Sequence, residues 1–179
     1  MAILWDLSDR AHRYEYRQIL NGHTGAIRAC TWGRKAGVVA TASMDGSARV
    51  WDAKNGGIIS VLTGHTSSVE GCSFDPRDRS LVTVSRDGTI YIWGCTEGLY
   101  PRWKLIRSFN LGPEQHCGRF NSNGELFASG SVEGGLSLWR GITGAAPVSL
   151  GGLQCQSAVR AVAFSSTGSQ LGVLSGGIQ

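Results

Sequence analysis

Residues 21–32 read N-G-H-T-G-A-I-R-A-C-T-W, and residues 38–52 read V-V-A-T-A-S-M-D-G-S-A-R-V-W-D. The chain then says nearly the same thing again: T-G-H-T-S-S-V-E-G-C-S-F over 63–74 and L-V-T-V-S-R-D-G-T-I-Y-I-W over 81–93. His23 and His65, Asp45 and Asp87, and Trp51 and Trp93 each stand 42 positions apart. Self-similarity at a period of about 40–45 residues marks a repeat architecture in which each unit is one small sheet.

Working outward, each unit reads as four short strands. In the first these are residues 27–32, 38–43, 48–52 and 58–62, the second alternating small and apolar positions, and Asp45-Gly46 supplies the positive φ of a tight turn. The second has strands at 69–74, 81–85 and 89–93, Asp87-Gly88 at the turn, and a fourth strand near 103–109. The third is degenerate: 115–120, 126–131, 135–139 and 147–150, with Glu133-Gly134 at the turn. Trp93 and Trp139 are 46 positions apart, so this unit carries a net insertion of four, placed in the 94–102 loop. Residues 1–7 read M-A-I-L-W-D-L, a third strand whose Trp5-Asp6 matches Trp51-Asp52; a polar connection at 8–13 and a fourth strand at 14–20 follow. The strands at 159–164 and 170–175 are a first and a second strand without a third. Each end is half a unit.

Composition agrees with a folded, strand-rich chain. Hydrophobic residues are 41% against 17% charged, enough to bury a core, and the 26 glycines fall at turn positions while prolines number only 4. The net charge of +4 is spread along the chain without a Lys/Arg run, which argues against a nucleic-acid tail or a membrane patch. No run of about 18 apolar residues is present, and Asp6 and Asp9 interrupt the one apolar stretch near the start, so neither a membrane span nor a signal peptide is expected. Five cysteines form no C-x-x-C pair; Cys30 and Cys72, at the same place in successive strands, read as small buried hydrophobes, and a reducing compartment, cytosol or nucleus, is expected.

The sets Gly22-His23, Asp45-Gly46, Trp51-Asp52 and Gly64-His65, Asp87-Gly88, Trp93 resemble the WD-repeat family of β-propellers. The resemblance is strong over 20–93, weaker beyond 94, and takes in essentially the whole chain. It implies an all-β propeller of three complete four-stranded blades with a half-blade at each end, blades packing radially around a channel. The expected divisions are a half-blade at 1–20, repeats at about 21–62, 63–109 and 110–150, and a half-blade at 151–179. Two closures follow. Either the half-blades join into a four-bladed ring, or the chain is part of a larger, typically seven-bladed one, which is the favoured reading. Unpaired strand edges then call for further chain, a partner or self-association.

His23, Ser43 and Asp45 are the residue types of a hydrolase triad, but His65, Ser85 and Asp87 repeat them at the same spacing. One active site needs one triad, so the copy argues for architecture. The resemblance implies a buried hydrogen-bond network of His23, Ser43, Asp45 and Trp51, and again of His65, Ser85, Asp87 and Trp93. In the third unit Leu111 and Glu133 stand where His and Asp belong, and in the last Cys155 and Gly177, so both are expected to lack it. No catalytic residue, cofactor or metal is implied.

The resemblance places partner binding on the turns and first-strand starts: Arg28, Glu70, His116 and Arg160, with Met44 and Arg86 on the turns between second and third strands. With Ala26, Ser68 and Glu114 on the turns before the first strands, the set holds three arginines against two glutamates, which suits acidic or phosphorylated peptides, because the guanidinium grips carboxylate and phosphate with paired hydrogen bonds. Tyr100 and Arg102, beside Trp103, form a second candidate cluster. The expected function is therefore a non-catalytic scaffold that binds other proteins. The alternative is an RNA- or ribonucleoprotein-binding module, supported by the mild basicity and the 94–103 cluster alone.

Overall fold

A computed structural model describes residues 1–6, 15–34, 37–96 and 102–176. Sixteen strands and no helix occur among them. The strands β1 (Ala2–Asp6) and β2 (Glu15–Leu20) form a two-stranded sheet. Blade 1 is β3 (Ile27–Trp32), β4 (Val38–Ser43), β5 (Ala48–Asp52) and β6 (Ile58–Leu62). Blade 2 is β7 (Val69–Phe74), β8 (Ser80–Ser85), β9 (Thr89–Cys95) and β10 (Trp103–Asn110). Blade 3 is β11 (Gln115–Phe120), β12 (Leu126–Ser131), β13 (Gly135–Arg140) and β14 (Val148–Gln154), and β15 (Val159–Phe164) with β16 (Leu171–Ser175) makes the second two-stranded sheet.

Every sheet is antiparallel and runs in chain order, as an up-and-down meander requires. The half-blades β1–β2 and β15–β16 are separate sheets, so a four-bladed closure is not formed. One boundary is corrected. The third unit's last strand reaches Gln154 rather than 150, because Leu153 and Gln154 continue the pairing with Leu136 and Gly135.

The core is a series of apolar layers between successive sheets. Leu4 and Leu20 pack on Val39 and Trp51 of blade 1. The other face of blade 1, through Ala40, Ala42, Ala48, Val50 and Leu62, meets Val69, Cys72, Phe74, Leu81 and Trp93 of blade 2. Val82, Val84, Ile90 and Ile92 then meet Phe127 and Trp139, and Ala128 and Leu136 meet Val159 and Val162. The strands β4, β7, β8 and β12 thus bury both of their alternating faces, one against the sheet before and one against the sheet after. That explains why the middle strands read as continuous small-apolar runs.

The turns between second and third strands are pinned in the same way three times. Gly46, Gly88 and Gly134 have φ of 80°, 80° and 85°. A side chain at Gly88 or Gly134 would collide with the backbone carbonyl of Gly112 or Cys155 in the loop that leads to the next blade. Here glycine meets two requirements together, a left-handed conformation and close approach of the neighbouring backbone.

Candidate functional site

The first strand of each blade, and β15 of the last half-blade, carries a β-bulge at its second residue. Pairing jumps from Ile27 to Ala29, from Val69 to Gly71, from Gln115 to Cys117 and from Val159 to Ala161. The residues left out of the ladder are Arg28, Glu70, His116 and Arg160. A bulge turns the extra side chain away from the regular alternation. Four sheets repeat the device, and it delivers these four side chains to one cavity of about 380 Å³, with Arg86 and Arg119 beside them.

Glu70 is the keystone of this cavity. Its side chain is 4% exposed and accepts from Arg28 Nε at 2.9 Å, Arg86 Nε at 2.9 Å and Ser68 Oγ at 2.7 Å. Burial would raise its carboxyl, but the bonds from Ser68 and Arg28 and the charges of Arg28 and Arg86 outweigh that and hold it below the usual range. Arg28 and Arg86 remain 40% exposed and use only Nε on Glu70, so their terminal nitrogens meet no acceptor among the described residues. Arg119 Nη1 donates to the Cys72 carbonyl at 2.8 Å and Arg160 Nε to that of Gly176 at 2.8 Å. Four guanidiniums against one carboxylate leave an excess of three positive charges in the cavity. His116 adds none at neutral pH, since burial, seconded by Arg86 and Arg160, lowers its pKa against the opposing pull of Glu70 and Glu114. Cys117 also lines the cavity, but burial pushes its thiol up to about 11, which leaves it protonated.

The sequence-level set divides accordingly. Arg28, Glu70, Arg86, His116 and Arg160 are gathered in this cavity, whereas Met44, 56% exposed on its turn, and Arg102 are not among its lining residues. Tyr100 lies outside the described residues. Trp103 turns inward and packs on Phe74, ring centroids 5.6 Å apart, which takes an aromatic away from the Arg102 cluster. Arg119 was missed. Its signal was present in the repeat alignment, where Thr31, Ser73 and Ala163 hold the same position and the arginine stands alone among small residues.

The His-Asp sets form directed chains of hydrogen bonds in blades 1 and 2. Trp51 Nε1 donates to Thr41 Oγ1 at 2.8 Å, Thr41 Oγ1 lies 2.8 Å from His23 Nε2, and His23 Nδ1 lies 2.8 Å from Asp45 Oδ2. Blade 2 repeats this with Trp93, Thr83, His65 and Asp87 at 3.0, 2.8 and 3.0 Å. An indole N–H can only donate and an ionised carboxylate can only accept. The neutral imidazole with its proton on Nδ1, receiving the threonine hydroxyl at Nε2, satisfies every member.

Burial lowers the pKa of His23 and of His65 despite the aspartates. Both aspartates are held below the ordinary range although burial opposes it, chiefly through the Ser47 and Thr89 hydroxyls. Ser43 and Ser85 are corrected from members of the chain to caps of the adjoining turn. Ser43 Oγ accepts from the Asp45 N–H, and Ser85 Oγ accepts from the Asp87 N–H while donating to the Ser68 carbonyl. The hydroxyl at Nε2 of each imidazole belongs to the threonine two residues earlier.

In blade 3, Leu111 replaces the histidine. Trp139 Nε1 and Ser129 Oγ, at the positions of Trp93 and Thr83, are buried there without a hydrogen-bond partner among the described residues.

The family described as WD domain, G-beta repeat matches residues 14–52 and 56–94, the two units that carry complete hydrogen-bond chains. Those residues are two WD repeats, units of the kind that build β-propellers and that generally bind other proteins and generally lack catalysis. No curated protein matches it.

Proposed function

We propose that this chain is a non-catalytic interaction scaffold that helps assemble a multiprotein complex by receiving an acidic or phosphorylated peptide segment in the arginine cavity. One observation carries the reading: Glu70 is buried beneath Arg28 and Arg86 and fixes both guanidiniums by Nε, while their terminal nitrogens meet no acceptor among the described residues. Guanidiniums already ordered lose less entropy on gripping a carboxylate or phosphate. The five free thiols suit the cytosol or nucleus as its location. Ring completion by a partner, by self-association or by further chain belongs to the same reading.

The test is binding of a degenerate phosphoserine peptide library and a polyglutamate peptide to the 179-residue chain, compared with Arg28→Glu/Arg86→Glu. The double reversal should weaken binding at least tenfold, since hydrogen bonds to charged groups contribute about 1.5–3 kcal/mol each. Unchanged affinity, or a clear preference for single-stranded oligouridine with a steep salt dependence, would overturn the peptide reading in favour of RNA.

A further inference from the structure

His116 is set apart from the other described histidines. His23 and His65 engage both ring nitrogens, one with an aspartate and one with a threonine. Neither nitrogen of His116 has a hydrogen-bond partner among the described residues, although the ring is only partly exposed and lines the arginine cavity. The terminal nitrogens of Arg28 and Arg86 line the same cavity and are likewise unengaged there.

The bulge of β11 explains the position. Gln115 pairs with Ser131 and Cys117 with Gly130, which leaves His116 out of the ladder. β11 packs between β7 and β15, so His116 stands between Glu70 and Arg160, which hold the same bulge position on those strands. Arg86 faces it from the turn after β8 and Glu114 from the loop before β11. Arg28 of β3 and Arg119 of its own strand complete the charged lining. Glu70, the one carboxylate of that lining, already accepts from Arg28, Arg86 and Ser68.

The cavity on its own therefore disfavours a proton on His116 in two ways. Burial strips water from the imidazolium, and the lining carries an excess of positive charge in which Arg86 and Arg160 oppose the pull of Glu70 and Glu114. An anion among the guanidiniums reverses the second effect. An opposite charge within about 4–6 Å favours a protonated imidazole about tenfold or more. Once protonated, the ring donates from both nitrogens.

We propose that His116 takes up a proton from solvent when an anion enters the arginine cavity, and that the imidazolium is then a third grip on the ligand beside Arg28 and Arg86. The inference rests on the reading of this cavity as a site for acidic or phosphorylated peptides, and it makes occupancy of the site proton-linked. By reciprocity, an anion that strengthens proton binding at His116 is itself held more tightly when the proton is present. The unliganded imidazole titrates below its ordinary 6.5 and the liganded one higher, so affinity climbs as pH falls through the interval between them. Glu70, held below the usual carboxylate range, stays ionised across that interval, and Cys117, pushed up to about 11, stays protonated.

Inorganic sulfate is the probe, because phosphoserine has a second pKa of about 6 and would titrate alongside the imidazole, whereas sulfate does not. Calorimetric titration of the 179-residue chain at fixed ionic strength, in buffers of different ionisation enthalpy, reads affinity and proton uptake together. Affinity should rise at least about fivefold from about pH 8 to about pH 6, with a fraction of one proton taken up per sulfate near pH 7. His116→Gln should bind sulfate with neither the rise nor the uptake. His116 makes no hydrogen bond among the described residues, so a circular-dichroism melt should find that variant folded. A second readout uses wild type alone: the NMR titration midpoint of the His116 ring should move up when sulfate is saturating. Equal pH profiles in wild type and His116→Gln, or a midpoint that sulfate leaves unmoved, would overturn the proposal while the cavity reading stands on the loss of binding in Arg28→Glu/Arg86→Glu. Sulfate that binds at no pH, or binds that double variant as well as wild type, would overturn the cavity reading and the proposal with it.

Discussion

Thr41 and Thr83 are the residues on which two blades turn, and the sequence pattern does not single them out. Positions 41 and 43 project from the same face of β4, so alternation alone leaves threonine and serine equivalent. The strand register decides: Trp51 pairs with Val39, which puts its indole diagonal to Thr41, while Ser43 falls beside the turn and caps it. Thr41→Val removes the acceptor of the indole and the donor to the imidazole together, at about 1–3 kcal/mol for each buried group left unpaired. Ser43→Ala should cost less, about 0.5–1.5 kcal/mol, because the turn amide it serves is only half-buried. Urea denaturation midpoints separate the two, and equal losses would contradict the assignment. The same chains set the response to acid. His23 and His65 have pKa values below their ordinary 6.5 in the fold, so unfolding takes up protons as pH falls through 6.5, and stability present above that pH is lost below it. Asp45 and Asp87 lie below their ordinary 3.8, so a further loss sets in as pH falls beneath 3.8. Both signs agree. The melting temperature should decline from about pH 6.5 downward and more steeply below about pH 4, whereas a flat profile between pH 7 and 5 would exclude neutral buried histidines.

The three blades are built alike as elements but are satisfied unequally. Trp139 keeps the tryptophan position of blade 3 and packs on Phe109 at 4.8 Å between ring centroids, yet its N–H has lost its partner because Leu111 brings no imidazole to order the hydroxyl of Ser129. Trp93→Phe removes a donor that Thr83 uses, whereas Trp139→Phe removes an orphan and loses the same indole volume. The blade 2 variant should therefore be the less stable by about 1 kcal/mol or more, as thermal or urea unfolding would reveal. Equal costs would mean that Trp139 is hydrogen-bonded in solution. Much of this level was legible in the sequence. The 42-residue period and the Asp-Gly turns located strands, blades and half-blades, and the decay after Trp93 located the unsatisfied blade. The bulges were not legible, since an extra residue in a ladder depends on which partner residues it opposes. The arginine cavity could consequently be anticipated as a list of positions but not as one place. Arg119 escaped because it reaches the cavity only after the bulge at His116 has shifted the alternation of β11.

Across the whole molecule, burial rises toward the middle and falls toward both ends, and this gradient orders the local stabilities. All six residues of β7 and all six of β8 are buried, because blade 2 has a complete blade on each side. All seven residues of β14 are exposed, and β16 has only Leu171 even partly covered. Opening free energies follow the apolar contact a segment must give up, from near zero at uncovered elements to the global value in the core. Amide hydrogen exchange should then be slowest in β8, at residues 80–85, intermediate in β4 and β12, and fastest in β14 and β16. Fast exchange in β8 comparable to that of β14 would show that the blades do not share one cooperative core.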